Sequence, residues 1–148
     1  MKIQDSISIN ADRARVFEVF CDLDNAPANI SGITKTEVLA GPAQLNMDTR
    51  WRETRKMFGQ EATEEMWVVA YEQDESYAVE AESRGNHYRS EYRFTPEAGG
   101  TRVDLTFEGV ALTFGARLAG VFGALFVGAA KKEMHKDLLD LKRVCETA

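Results

Sequence analysis

The chain has 148 residues, which fits one domain whose fold buries roughly 70% of the unfolded surface in a single core. It carries 24 acidic residues against 18 lysines and arginines, for a formal net charge of -6. Nucleic-acid affinity depends on lysine and arginine neutralising phosphates, and this sequence has no dense basic patch. Nucleic acid is therefore not expected as a partner. Hydrophobic residues make up 44% and charged residues 28%, which is typical of a globular protein.

Cysteine usage and the N-terminal pattern indicate a cytoplasmic protein. Cys21 and Cys145 lack the spacing of a zinc site and the density of a disulfide scaffold, so we expect reduced thiols. The first ten residues, MKIQDSISIN, alternate polar and apolar positions, and no signal peptide is expected. The uncharged residues 118–130 are shorter than the ~20 that a membrane-spanning helix needs, and they predict a buried helix.

The first third of the chain predicts one strand and two short helices. Residues 2–9 alternate in the period of a half-buried strand, with isoleucines on one face. Asn10 is the predicted N-cap of a helix over residues 11–21. A second short helix or turn is expected over 23–30, interrupted by Pro27 and ended by Gly32.

The middle of the chain predicts an antiparallel sheet, and the end predicts a long helix. Six stretches rich in β-branched and aromatic residues are separated by short turns, at 33–40, 48–57, 61–72, 76–84, 87–95 and 101–110. There is no room between them for crossover helices, which excludes a doubly wound parallel sheet. After Thr113 the pattern is helical, and about 30 residues would run ~45 Å. An α+β fold follows, in which a curved seven-stranded sheet wraps around the last helix and encloses a cavity.

Several segments resemble one superfamily along nearly the whole chain. They are I-x-A-x-x-x-x-V-F-x-x-F-C-D-L-D-N-A-P at 9–27, TRWRETR at 49–55, YRSEYRFTP at 88–96, GGTRVDLTF at 99–107 and KDLLDLK at 136–142. Together they are similar to the START-like (SRPBCC) superfamily with the helix-grip fold, in particular its bacterial polyketide cyclase/dehydrase-like and coenzyme-Q-binding-protein-like members. The resemblance implies one ligand-binding domain over residues 1–148. It also implies an apolar ligand, such as a lipid, polyketide, hormone or quinone, held between sheet and helix, with catalysis in only some members.

Strand alternation predicts the side chains that line this cavity. On the 48–57 strand, Arg50 and its alternate neighbours face solvent, so the other face turns inward. The strand with residues 65–69 is apolar on both faces, and its inward face stays open. The predicted lining comprises Trp51, Glu53, Arg55, Tyr77, Val79, Tyr88, Tyr92 and Phe107 from the strands, with Gly120, Gly123 and Val127 from the last helix.

Glu53 and Arg55 are the candidate catalytic residues. They lie two positions apart on one strand face, within side-chain reach of each other. They either form a solvated ion pair at the cavity mouth or, if buried, orient a ligand or transfer a proton. The buried tyrosine and tryptophan donors likewise meet either a polar-headed ligand or internal partners.

The sequence contains no pattern typical of a metal site, a cofactor site or a catalytic nucleophile. His87 is predicted to face solvent and His135 to lie off the apolar stripe of the last helix, with no ligand-spaced partner for either. No metal site and no cofactor are expected. No nucleophile motif surrounds any serine or cysteine.

Glycines in the last helix suggest space for a ligand. At 100° per residue, the stripe of large apolar residues that begins at Met134 continues back to Gly120, Gly123, Val127 and Ala130. The missing side-chain volume predicts either a cavity or a close approach of helix to sheet. On the opposite side, a second apolar stripe predicts a homodimer or a peripheral membrane contact, unless a kink turns it inward. That stripe comprises Leu118, Val121, Phe122 and Leu125.

The sequence therefore predicts a protein that binds or carries a hydrophobic small molecule without catalysis. The alternatives are a polyketide cyclase or dehydratase acting on an aromatic or enolic substrate, and an interaction or chaperone protein that uses the apolar face of the last helix.

Overall fold

The computed structural model describes residues 1–57, 59–83, 85–111 and 123–147. Within these ranges the chain forms seven strands and three helices. In chain order they are β1 (Lys2–Ile9), α1 (Arg13–Phe20), α2 (Ala26–Asn29), β2 (Ile33–Ala40), β3 (Arg50–Met57), β4 (Gln60–Glu72), β5 (Ser76–Ser83), β6 (Asn86–Glu97), β7 (Gly100–Ala111) and α3 (Gly123–Glu146).

The strands form one antiparallel sheet in the order β1-β7-β6-β5-β4-β3-β2. Strands β2 to β7 follow one another as a meander, because the connections between them are short. The meander returns to β1, which pairs with β7 from Lys2 opposite Glu108 to Ile9 opposite Thr101. The sheet's two edges are thus β1 and β2, and the chain crosses from one to the other through α1 and α2. The predicted seven-stranded antiparallel sheet is confirmed.

Helix α3 packs against β1, α1 and α2. Its residues Leu138 and Leu141 are buried in the same hydrophobic core as residues on the inner face of the sheet. This arrangement confirms the predicted long C-terminal helix gripped by the sheet. Within the described residues, no helix is long and apolar enough to cross a membrane.

The start of α1 differs from the prediction. Asp12, and not Asn10, is its N-cap, because the Asp12 carboxylate accepts a hydrogen bond from the Arg15 backbone N–H at 2.8 Å. The Asn10 backbone N–H instead donates to the carboxylate of Glu146 at 2.7 Å, which ties β1 to the end of α3. Pro27 also differs, since it lies in the first turn of α2, where its missing N–H costs no hydrogen bond.

An aromatic cluster in the core surrounds Phe17 on α1, which is 1% exposed. Its ring meets Tyr71, Tyr77 and Phe94 edge-to-face, with centroids 5.6, 5.9 and 5.1 Å away. Such pairs favour edge-to-face geometry because the rim of one ring is positive and the face of the other is negative. This cluster adjoins the cavity described below, because Tyr77 is also one of the cavity's lining residues.

A bulge resolves the inward face of β4. The register shifts by one residue between Val68 and Ala70, so inward-facing positions change from even to odd numbers. Met66 and Val68 therefore point into the core before the bulge. After the bulge Tyr71 does so, and its ring contacts Phe17 on α1. Trp67 faces outward, where the Arg50 guanidinium carbon lies 4.9 Å from the centre of its ring.

Candidate functional site

A cavity of about 260 Å³ lies between the inner face of the sheet and α3. Its walls are mostly apolar and aromatic, and its charged groups come from β3, β4 and α3. The described residues that line it are Phe20, Leu23, Ala26, Ile30, Ile33, Leu45, Trp51, Glu53, Arg55, Ala62, Glu64, Met66, Tyr77, Val79, Glu80, Ala81, Tyr88, Ser90, Tyr92, Leu105, Phe107, Ala130, Glu133, Met134, Asp137, Leu138 and Leu141.

All of the predicted strand residues are brought together around this cavity, because they share one face of the curved sheet. β3 contributes three of them, β5 and β6 two each, and β7 one. They are Trp51, Glu53, Arg55, Tyr77, Val79, Tyr88, Tyr92 and Phe107.

The three residues of the last helix that were predicted to line the cavity are not among the described lining residues. Val127 is half-buried and is not among the described residues that line the cavity, of which Ala130 is the first on α3. Gly120 lies outside the described residues. Gly123 begins the described part of α3.

The predicted apolar stripe on the outer side of the last helix falls largely outside the described ranges. Leu118, Val121 and Phe122 are not among the described residues, and only the helical backbone is described at Leu125. The homodimer or peripheral membrane contact built on this stripe stays a prediction.

Two stacked pairs of aromatic rings are among the residues that line the cavity. Tyr77 and Tyr92 lie side by side on β5 and β6, with centroids 4.8 Å apart and planes 21° apart. Tyr88 and Phe107 stack in the same way across β6 and β7, at 5.5 Å and 20°. Burial raises the pKa of the Tyr92 hydroxyl, and Asp137 and Glu53 raise it further. Tyr92 therefore stays protonated.

Arg55, Glu53 and Asp137 form a charged cluster in the wall. The Arg55 guanidinium contacts the Asp137 carboxylate through two nitrogens, at 2.9 Å and 3.2 Å. Its Nε lies 3.6 Å from an oxygen of Glu53. The three side chains are only 15–20% exposed, so this is not a solvated pair at the surface. This bidentate contact links β3 to α3.

Burial sets the protonation behaviour of this cluster. Burial raises the pKa of Glu53. The nearby charge of Arg55 lowers this pKa, and the charges of Asp137 and Glu64 raise it further. Burial likewise raises the pKa of Asp137, against the charge and hydrogen bond of Arg55. Burial alone would lower the pKa of Arg55, but Asp137 and Glu53 hold it above its ordinary value. The site thus holds one permanent cation beside two carboxyl groups that bind protons more readily than usual.

Sequence reasoning missed the acidic character of the lining. Glu64 lies directly opposite Glu53 in the β3–β4 register, and Glu133 and Asp137 come from α3. At 100° per residue, Asp137 is about 40° from Leu141, which places it at the edge of the predicted apolar stripe. An acid in that position signals a buried partner, and Arg55 is that partner.

The indole N–H of Trp51 is buried without a hydrogen-bond partner among the described residues. Trp51 is 3% exposed and lines the cavity two residues before Glu53. The indole lies near enough to Glu53 to help lower the pKa of that carboxyl, yet no acceptor meets the distance and angle of a hydrogen bond.

Neither histidine lines the cavity. His87 Nε2 lies 2.9 Å from the Glu80 carboxylate. His135 Nδ1 lies 2.8 Å from the carboxylate of Asp5. Among the residues described, no group of three or more histidine, cysteine or acidic side chains is arranged to hold a metal ion.

Both cysteines are free and buried. Burial raises the pKa of Cys145 to about 11, and it also raises the pKa of Cys21, with a further contribution from Asp74. Both side chains are therefore neutral thiols at neutral pH and poor nucleophiles.

Comparisons with known proteins identify the family and the fold of this chain. The family model described as polyketide cyclase/dehydrase and lipid transport matches residues 1–146. No curated protein matches the chain. Among solved structures, the chain is similar to the Zhui aromatase/cyclase from Streptomyces sp. R1128, with a TM-score of 0.83, 15% identity and coverage of 99% of this chain and 93% of that one.

Two further structures show the same likeness. TTHA0849 from Thermus thermophilus has a TM-score of 0.79 and 21% identity, covering 98% of this chain and 97% of that one. The di-domain ARO/CYC BexL from the BE-7585A biosynthetic pathway has a TM-score of 0.80 and 17% identity, covering 100% of this chain and 50% of that one. These likenesses show a shared helix-grip fold. Because the family model spans nearly the whole sequence, the chain belongs to the polyketide cyclase/dehydrase and lipid transport family, within the START-like superfamily.

Proposed function

We propose that this protein binds or carries a hydrophobic small molecule, of lipid, quinone or polyketide-like chemistry, in the cavity between the sheet and α3. The observation that carries the proposal is the cavity of about 260 Å³, whose walls are apolar and aromatic with one charged cluster. Ligand sites typically combine a concave apolar surface with a few polar groups that fix orientation. The family and its aromatase/cyclase neighbours support the same class of ligand.

The aromatic walls favour a ligand with at least one flat ring. The Tyr77–Tyr92 and Tyr88–Phe107 pairs each present a ring face or edge on neighbouring strands. A planar ligand gains offset-stacked or edge-to-face contacts there in addition to the burial of its apolar surface. The Arg55 cluster then lies at one part of the wall, where it orients the polar end of the ligand.

The test is a titration with N-phenylnaphthylamine, an uncharged apolar dye whose emission rises on burial. The wild-type protein is expected to bind it, and Ala130→Leu is expected to weaken binding at least tenfold, because Ala130 is buried and lines the cavity. Gly128→Leu is the matched control. It adds a leucine on the same helix at an exposed position where a Cβ would meet nothing within 4 Å. Equal affinities of the two variants would contradict the proposal.

A second candidate function is that of a cyclase or dehydratase, favoured by the raised pKa of the buried Glu53 carboxyl. In a dehydration, Glu53 would give its proton to a departing hydroxyl, which leaves as water. The carboxylate would then take a proton from the neighbouring carbon, so that a double bond forms and Glu53 is restored. Arg55 would hold the adjacent carbonyl oxygen.

This candidate predicts turnover of an aryl β-hydroxy ketone to the conjugated enone, followed by absorbance. Glu53→Gln should abolish the reaction and keep the affinity for N-phenylnaphthylamine, because the amide preserves the shape of the side chain. A wild-type protein that binds the dye but leaves the ketone unchanged favours the carrier function.

A further inference from the structure

The unpartnered indole N–H of Trp51 indicates what the ligand must offer. A buried donor without an acceptor is costly, and the large majority of buried donors in proteins are paired. Trp51 is 3% exposed, and its Nε1–H has no acceptor among the described residues. Because this side chain lines the cavity, an oxygen atom of the ligand can supply the missing acceptor.

A hydrogen-bond acceptor lies beside this donor. Glu53 follows Trp51 by two positions on β3, so both side chains are on the same face of the strand. Glu53 touches Arg55 only through one oxygen, at 3.6 Å, which is longer than a hydrogen bond. The wall therefore presents a donor and an incompletely engaged carboxyl next to each other.

The surrounding charge disfavours an anionic ligand. Four acidic side chains line the cavity: Glu53, Glu64, Glu133 and Asp137. The carboxylate of Glu80 instead lies on the outer face of the sheet, where it contacts Arg89 at 3.1 Å. Arg55 is the cationic side chain among the described lining residues, and its guanidinium already holds the Asp137 carboxylate through two nitrogens. A carboxylate ligand would have to displace Asp137 or remain without a cation.

From these three observations we propose that the ligand of this cavity carries an uncharged hydroxyl group, a phenol or an alcohol, which accepts a hydrogen bond from Trp51 Nε1–H and donates one to the Glu53 carboxyl. This inference rests on the proposed function, since it assigns a polar subsite of the same cavity. An ammonium group would leave the Trp51 donor unmet because it has no acceptor. An ether oxygen would accept from Trp51 but could donate nothing to Glu53.

The test uses four probes on one ring system: naphthalene, β-naphthol, β-methoxynaphthalene and β-naphthoate. Each is measured by its displacement of N-phenylnaphthylamine from the wild-type protein. β-Naphthol is expected to bind about five- to tenfold more tightly than naphthalene, the effect of one or two hydrogen bonds. β-Methoxynaphthalene should fall between the two, and β-naphthoate should bind at least tenfold more weakly than β-naphthol.

Trp51→Phe assigns the effect to the indole, because it removes the N–H and keeps an aromatic ring in the wall. In this variant the ratio of the β-naphthol affinity to the naphthalene affinity should fall by at least half on a logarithmic scale, and the ratio separates the lost N–H from any effect of the smaller ring on naphthalene itself. Trp67→Phe is the matched control. Trp67 is the second of the chain's 2 tryptophans and lies on the outer face over Arg50, so its replacement should change neither affinity.

Different failures lead to different conclusions. If naphthalene and β-naphthol bind equally to the wild type, or if Trp51→Phe keeps the whole β-naphthol advantage, the hydroxyl subsite is wrong while the apolar cavity stands. If β-naphthoate binds as tightly as β-naphthol, the charge argument is wrong. If no probe binds, naphthalene and N-phenylnaphthylamine included, the proposed function fails and the subsite fails with it.

Discussion

Asp137 on α3 and Arg55 on β3 join the helix to the sheet beside the cavity through two contacts of 2.9 and 3.2 Å. Both side chains are 20% exposed, so each has lost most of its hydration. The planar guanidinium matches both carboxylate oxygens at once, a geometry that lysine cannot provide. Removing one partner leaves the other poorly compensated in a largely buried place.

Arg55→Met is therefore expected to lower the free energy of unfolding by about 2 kcal/mol, because it leaves the carboxyl groups of Glu53 and Asp137 without a cation. This is less than the ~3 to 5 kcal/mol for breaking a fully buried pair, because water reaches both carboxyl groups. Denaturant unfolding at neutral pH measures the change. Arg102→Met is the control, since it breaks the exposed Arg102–Asp104 pair, whose side chains are 51% and 41% exposed. It should cost less than about 1 kcal/mol, and equal losses in the two variants would contradict the prediction.

Glu53→Gln is expected to change how stability depends on pH. Burial raises the pKa of Glu53 in the folded protein above its ordinary value of about 4.3. The folded state thus binds this proton more tightly than the unfolded state, and the charged carboxyl costs stability at neutral pH. As the pH falls through the folded pKa toward the ordinary value, that cost disappears.

The glutamine variant carries no such cost, so its stability advantage over the wild type should be largest at neutral pH and shrink on acidification. The measurement is the free energy of unfolding of both proteins from mildly acidic to neutral pH. A difference that is constant with pH would show that Glu53 titrates alike in the folded and unfolded states.

The fold followed from the sequence because each of its elements repeats a local pattern. Alternation marks the strands, and the turns between them leave no space for crossovers. The inward-facing residues followed from the same alternation on β3, where Trp51, Glu53 and Arg55 share one side. The period of two holds as long as the strand is regular.

What the sequence left open depends on irregularity and on contacts between distant residues. The bulge between Val68 and Ala70 inverts the faces of β4 at a point where both are apolar, so alternation carries no signal there. The pairing of Arg55 with Asp137 joins residues 82 positions apart. The N-cap was misplaced because Asn10 and Asp12 are both good caps, and only the bond from Asn10 to Glu146 decides between them.

Ser31→Ala is expected to destabilise the protein by about 1 kcal/mol at neutral pH, as the loss of one hydrogen bond to a carboxylate in a partly buried site. The Ser31 hydroxyl and backbone N–H both donate to Asp140 on α3, at 2.9 and 3.0 Å. Although burial acts to raise the pKa of Asp140, these bonds and the charges of Arg143 and Lys136 hold it below its ordinary value.

The effect of Ser31→Ala should therefore depend on pH. Because the pKa of Asp140 is lower in the folded protein than in the unfolded chain, its carboxylate stabilises the fold at pH values above the ordinary pKa. That contribution is lost as the pH falls through the pKa of the folded protein. The wild type and Ser31→Ala should converge in acid when their unfolding is compared. If the difference in the free energy of unfolding between the two proteins does not change with pH, the hydroxyl stabilises the protein independently of the charge of Asp140.

Two glycine-to-alanine substitutions should change the free energy of unfolding in opposite directions. Gly32 is buried, and a Cβ there would lie 3.0 Å from Arg55 Nη1, so Gly32→Ala must push the guanidinium away from its place beside Asp137. A shift of a few tenths of an ångström lengthens both Arg55–Asp137 contacts, and we expect a loss of about 1 kcal/mol. Gly128 lies inside α3, is exposed, and has open space where the Cβ would be.

Gly128→Ala should therefore raise the free energy of unfolding by about 0.5 to 1 kcal/mol, the ordinary advantage of alanine over glycine within a helix. Denaturant unfolding of the two variants side by side measures both signs. Addition of Asp137→Asn separates the causes, because the cost of Gly32→Ala should shrink once the Arg55 contacts it disturbs are already lost. If Gly32→Ala costs the same with and without Asp137, its effect does not pass through Arg55.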